Sequence, residues 1–262
     1  MYKLLRSRSF ILLTLLSLTM LIAVMPGQAL GISYDTLFLH TGKTDPKTEG
    51  WTPSWEIAGE FGPLTNDATS GFDAWFTDDN SSITLDSGAA YEQVPTTSQI
   101  AQANTFGWML TTRMRVVDIP DALGPFGVSN VVLYRDGTRS WQMRFGSQDD
   151  GDPIVVVDEA GGSATTFIHE GGGSGYHLYS LVFDPTAANV DLFVDGIERL
   201  SNLTGFLIAQ TSVGWGNGST FDTGQGNYNL VEFALVTPEP TTLLLLGTGL
   251  AGLGLVRRRR KI

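Results

Sequence analysis

Two glutamates, Glu56 and Glu60 in "WEIAGEF", carry the residue type that acid and base catalysis needs, since cleavage of a glycosidic bond takes two carboxyl groups flanking it. Four positions apart on a strand, their α-carbons stand about 13 Å apart, wide even for an inverting reaction. Both read as solvated acids. Ser174 in "GGSGY" lacks the closing glycine of a nucleophile elbow. His40, His169 and His177 show no H-E-x-x-H spacing, and no histidine metal site is expected. The absence of cysteine excludes thiolate chemistry, disulfides and Cys-ligated zinc. No catalytic residue is expected, and the chain reads as a non-enzyme.

Binding residues are easier to nominate. Asp149, Asp150 and Asp152 in "SQDDGDP", with Asp184 and Asp191 around a second turn, offer hard oxygen ligands at loop tips and make calcium the one candidate cofactor. Neither cluster follows the D-x-[DN]-x-[DN]-G loop pattern, and such aspartates also serve ordinary turns. Trp51, Trp55, Trp75 and Trp215 stand near glycine-rich or polar segments and are candidates for stacking on sugar rings. The "GTGLAG" at Gly247 to Gly252 fits a dinucleotide-binding spacing, but the chain runs only ten residues further, so the βαβ context is missing.

The elements that carry these residues read almost wholly as strands. Trp108, Leu110, Thr112, Met114 and Val116 alternate with the arginines Arg113 and Arg115, the pattern of a half-buried strand. "SNVVLYRDGTRSWQMRFG" reads as a hairpin turning at Asp136-Gly137. Further strands are expected at residues 154–157, 165–169, 177–183, 190–194 and 230–236, with the 31–62 segment an irregular lead-in and Gly171 to Gly175 a flexible hairpin loop. Short strands between Gly, Asp and Asn turns imply two packed antiparallel sheets. Leu110, Met114, Leu181, Phe183, Leu192, Val194 and Phe233 should form their core.

Both ends differ from this body. Lys3, Arg6 and Arg8 precede an apolar run from Phe10 to Met25 and a small-x-small site ending at Ala29, so residues 1–29 read as a signal peptide, a helix that engages the secretion machinery. At the other end Pro238, Glu239 and Pro240 precede an apolar run closed by Arg257, Arg258, Arg259, Arg260 and Lys261. The 16 residues from Thr241 to Val256 span about 24 Å as a helix, a short transmembrane segment with its cations on the cytoplasmic side. The terminal segments hold half of the 16 basic residues, leaving 8 Lys and Arg against 26 Asp and Glu in residues 30–236, a net charge of −18. Such a body repels nucleic acid, which is discarded as a partner.

The tail resembles the PEP-CTERM sorting signal of Gram-negative bacteria: Pro-Glu-Pro, a Leu- and Gly-rich span, then an arginine cluster. That resemblance implies an exported substrate of a membrane-embedded exosortase, transiently anchored in the inner membrane and associated with exopolysaccharide, biofilm or envelope. The stretch "GYHLYSLVFDPTAANVDLFVDGIERL" resembles the laminin G-like and concanavalin A-like jelly-roll superfamily, in which an aromatic-His strand precedes a strand ending in V-D-G. Glycoside hydrolases of that superfamily carry E-x-D-x-x-E or E-x-D-x-E, and here Ala58 stands where the aspartate would be.

The expected organisation is a signal peptide at 1–29, an all-β jelly-roll sandwich at 30–236 and a sorting and membrane segment at 237–262. The expected function is that of an exported, non-enzymatic envelope or matrix protein that binds glycan. A polysaccharide-cleaving hydrolase and a structural matrix protein without ligand are the alternatives.

Overall fold

The alternation that begins at Trp108 ends in burial: Trp108, Leu110, Thr112, Met114 and Val116 point inward, while Arg113 and Arg115 stay half-buried on the outer face. In the computed structural model the described residues are 33–56, 61–67, 71–79, 89–118, 130–147, 151–217 and 224–237. Residues 34–237 make one compact unit.

In chain order its strands are β1 (Ser33–Thr41), β2 (Thr52–Glu56), β3 (Phe61–Leu64), β4 (Ala74–Asp79), β5 (Ala89–Gln93), β6 (Trp108–Asp118), β7 (Asn130–Asp136) and β8 (Arg139–Ser147). There follow β9 (Pro153–Asp158), β10 (Ala164–Ile168), β11 (His177–Asp184), β12 (Asn189–Val194), β13 (Ile197–Leu203), β14 (Phe206–Leu207), β15 (Thr211–Asn217) and β16 (Gly224–Thr237). Among the described residues these form two sheets. Sheet one runs β13-β12-β11-β6-β16-β4-β3 with β1 also on β16, and sheet two runs β10-β9-β8-β7-β15-β5-β2 with β14 on β8. The protein is an all-β sandwich of two antiparallel sheets, consistent with the jelly-roll expectation.

Register builds the core. Leu181 lies opposite both Leu110 and Leu192, and Leu110 opposite Phe233, so one apolar row crosses four strands of sheet one. Trp108 and Phe233 of that sheet meet Tyr134 of sheet two at ring-centroid distances of 5.0 and 4.5 Å. All seven expected core residues are buried. Interdigitating rings of this size contribute most of the apolar area a sandwich removes from water.

Two parts depart from the sequence reading. The 31–62 segment is no irregular lead-in: β1 joins sheet one beside β16, and β2 and β3 end one sheet each. A helix, α1 (Thr97–Phe106), stands before β6; Thr96 and Gln99 close it with a reciprocal capping box, and Gln102 Nε2 donates to the Val236 carbonyl of β16. Among the described residues no helix is long and apolar enough to cross a membrane. The expected signal helix, the Pro238-Glu239-Pro240 motif, the tail helix and its cations Arg257 to Lys261 lie outside the described residues.

Candidate functional site

Trp51, Trp75 and Trp215 are 2, 5 and 1 % exposed and belong to the core, which corrects their nomination as sugar platforms. Stacking on a pyranose needs an open ring face, and these rings spend theirs on one another: Trp51 meets Trp215 edge-on at 5.9 Å, and Tyr91 packs on Trp215 at 4.8 Å. The Trp51 and Trp75 indole N–H groups donate to the Leu39 carbonyl and the Tyr91 hydroxyl. Trp55 lies in β2, its side chain outside the described part. Glu56 is ion-paired with Lys47 at 3.0 Å, and Glu60 lies outside the described residues.

The three described calcium candidates are each engaged in hydrogen bonds within the fold. Asp149 and Asp150 lie outside the described residues. Asp152 accepts from the N–H groups of Gly171 and Gly173, Asp184 holds Thr186, and Asp191 accepts from Asn202 N–H. Asp184 therefore serves its own turn, and Asp191 ties β12 to β13.

A different grouping arises where sequence spacing gave no hint of one. Residues 169–176 are not a hairpin loop; they carry the chain from β10, at the edge of sheet two, across to β11 in sheet one. The crossing brings the His169 and His177 rings to 4.4 Å between centroids. His177 Nδ1 is 2.8 Å from Asp195, whose other oxygen accepts from Leu178 N–H, and His177 Nε2 is 3.1 Å from the Gly172 carbonyl. His169 Nδ1 is buried without a hydrogen-bond partner. Burial, followed by the proximity of His177, holds the His169 ring below its ordinary pKa. A Cβ on Gly172 would stand 2.8 Å from the His169 ring, so only glycine lets the loop close over it. His169, His177 and Asp195 are the grouping of three metal-ligating side chains among the described residues.

On the outer face of sheet one, Asp67 gathers Arg115 at 2.7 Å, Asn227 at 2.8 Å and Tyr176 at 3.1 Å, pinning the connection after β3 across the strands. Phe72 packs edge-on against Tyr176 with the Arg113 guanidinium over its ring. On sheet two, a groove of about 450 Å³ separates the 158–163 turn from β14 and is lined by Asp158, Glu159, Gly161, Ser163, Phe206 and Leu207. Leu207 is 76 % exposed there. Asp158 is held by Arg144 at 2.5 Å and by Gln142, and Glu159 accepts from Thr165. The groove thus sets fixed carboxylates opposite an open apolar side chain.

Residues 236–260 match the family model for a protein-sorting motif. The chain carries a PEP-CTERM sorting signal. That signal directs export to the cell envelope. The sialidases of two Vibrio cholerae serotype O1 strains are each 28 % identical to the chain over 199 residues, 74 % of its length. The chain spans about a quarter of those relatives, 23 % of their length. A carbohydrate esterase of the Shiga toxin-encoding bacteriophage phi24B superposes with a TM-score of 0.58 over 78 % of this chain and 100 % of its own, at 12 % identity, a likeness of fold.

Proposed function

We propose that this exported protein is a non-catalytic glycan-binding module of the cell envelope, and that the groove between the 158–163 turn and β14 is its binding surface. The observation that carries the reading is the groove's composition. Sugar recognition pairs an apolar patch against the ring's C–H face with fixed polar groups for its hydroxyls; Leu207 and Phe206 supply the first, Asp158 and Glu159 the second. Glycines in the turn allow close backbone approach.

The likeness to a quarter of a sialidase, by its name a carbohydrate-acting enzyme, supports the same reading, because the alignment is module-sized. The ligand differs from a sialic acid in charge. A body of net charge −18, with Glu159 in the groove beside an Asp158 that is ion-paired to Arg144, disfavours anionic sugars, so the expected ligand is a neutral or amino-substituted polysaccharide. Export then follows the tail: exosortase recognises and processes the PEP-CTERM segment, and the sandwich remains at the envelope or in the exopolysaccharide matrix.

A glycan array probed with the purified protein, followed by a reducing-sugar assay on the retained glycans, tests this. Retention on neutral or amino glycans without sugar release is expected. Retention confined to anionic glycans, or no retention, contradicts the assigned ligand, and sugar release contradicts the non-catalytic role.

A further inference from the structure

We propose that His169, His177 and Asp195 form a binding site for a divalent first-row transition-metal ion, with zinc as its representative, at the crossover between the two sheets. The inference is independent of the glycan groove and rests on geometry. A ring nitrogen of each histidine and a carboxylate oxygen of Asp195 lie within 4.8 Å of one another. A tetrahedral ion with bonds of about 2.1 Å holds its ligands about 3.4 Å apart, so the cluster closes with roughly an ångström of side-chain movement.

The placement allows that movement. His169 follows the last residue of β10, His177 is the first of β11, and Asp195 follows the last of β12. Strands fix the three backbones while the side chains stand at strand ends. Two borderline imidazoles with one carboxylate suit zinc, nickel, copper or cobalt, whereas calcium takes oxygen ligands throughout.

His169 Nδ1, buried and without a partner, is the atom an ion would complete. His177 has an acceptor at each nitrogen, Asp195 at one and the Gly172 carbonyl at the other. An ion displaces one of these contacts, and the one that remains fixes the ring, the arrangement in which metal-bound histidines are usually held. Asp152, tied to the same loop through Gly171 and Gly173, adds a negative charge that bears on both histidines. Arg199 is the opposing charge near His169, and its guanidinium packs over Phe167 at 5.3 Å. Asp195 sits at φ 51° in the β12–β13 turn, so a bound ion would tie that turn to the crossover.

The test uses the full chain in detergent, free of any histidine tag and stripped with chelator. Copper(II) titration should give one ion per chain, with couplings from two imidazole nitrogens in its electron paramagnetic resonance spectrum, and a large excess of zinc should compete it off. Zinc at a hundredfold excess over its Kd should raise the Tm by about 5–10 °C, and calcium should not. His169→Ala should match the wild-type Tm in chelator yet lose the zinc shift. No zinc shift in the wild type, a shift that survives His169→Ala, or an equal response to calcium overturns the site. If His169→Ala is destabilised in chelator, the copper spectrum of the unsubstituted protein decides: fewer than two imidazole nitrogens overturns it.

Discussion

Asp67 shows how one carboxylate can anchor a connection. Burial works against its charge, but the hydrogen bonds from Asn227, Arg115 and Tyr176 outweigh burial and hold the carboxyl below its usual range. Its folded pKa is therefore lower than its unfolded one, so its contribution to stability is fully present above about pH 4 and is lost as pH falls through the lowered folded value. Asp73, Asp152 and Asp184 are lowered likewise by hydrogen bonds, and Asp195 by hydrogen bonds from Leu178 and His177 that outweigh its burial. Asp67→Ala should cost about 3 kcal/mol at pH 7, because Arg115, whose side chain is 15 % exposed, loses its carboxylate and keeps only the Ser174 carbonyl. Urea unfolding at pH 7 and pH 3 checks both parts, since the gap between wild type and variant should shrink at pH 3. Gly216 is a second sensitive residue. It sits at φ 124° in β15, and an added Cβ would stand 2.3 Å from the Ala89 carbonyl of β5. Gly216→Ala should lower stability by roughly 2–4 kcal/mol in the same assay, through strain and displaced pairing.

At the scale of elements, α1 depends on its cap more than on packing, since Ala103 is its buried residue. Thr96→Ala should cost about 1 kcal/mol and lower the Tm by roughly 2–4 °C in a thermal melt. The helix also shows where the sequence was silent. It has no apolar stripe for periodicity to reveal, and only its T-x-x-Q cap could have announced it. The strands β6 to β12 and the second half of β16 were legible through apolar alternation, whereas β13 and β14 were not expected, because β13 is exposed at five of its seven positions and β14 is two residues long. Those before β6 were not: β1 is exposed at five of its nine positions, and Pro53 and Pro63 interrupt β2 and β3. Both prolines are tolerated because β2 and β3 end their sheets. Among candidate site residues, the tryptophans misled because polar sequence neighbours do not report which face of a short strand is buried. The His169 and His177 pair escaped notice because a crossover between sheets, not a repeat spacing, brings the two together. The 158–163 groove likewise needs β14, more than forty residues downstream, to close it.

At the scale of the whole molecule, a strongly acidic sandwich is coupled to a short apolar tail with five cations, and the two have separate tasks. The tail carries the sorting signal, and in the proposed function the sandwich binds glycan after delivery. If processing accompanies sorting, the mature protein from its native host should end near Pro238 to Thr242 by intact mass, and Glu239→Ala should leave Ile262 in place. A mature wild-type form that retains Ile262 would make the tail a permanent anchor. The binding role of the sandwich is tested most directly by calorimetric titration of an array-positive neutral glycan into three proteins: wild type, Leu207→Asp and Val94→Asp. Leu207 and Val94 are both exposed apolar residues, 76 and 65 %, but only Leu207 lines the groove. The account predicts at least a tenfold loss of affinity for Leu207→Asp and wild-type affinity for Val94→Asp; unchanged binding by Leu207→Asp, or equal losses in both variants, would contradict it.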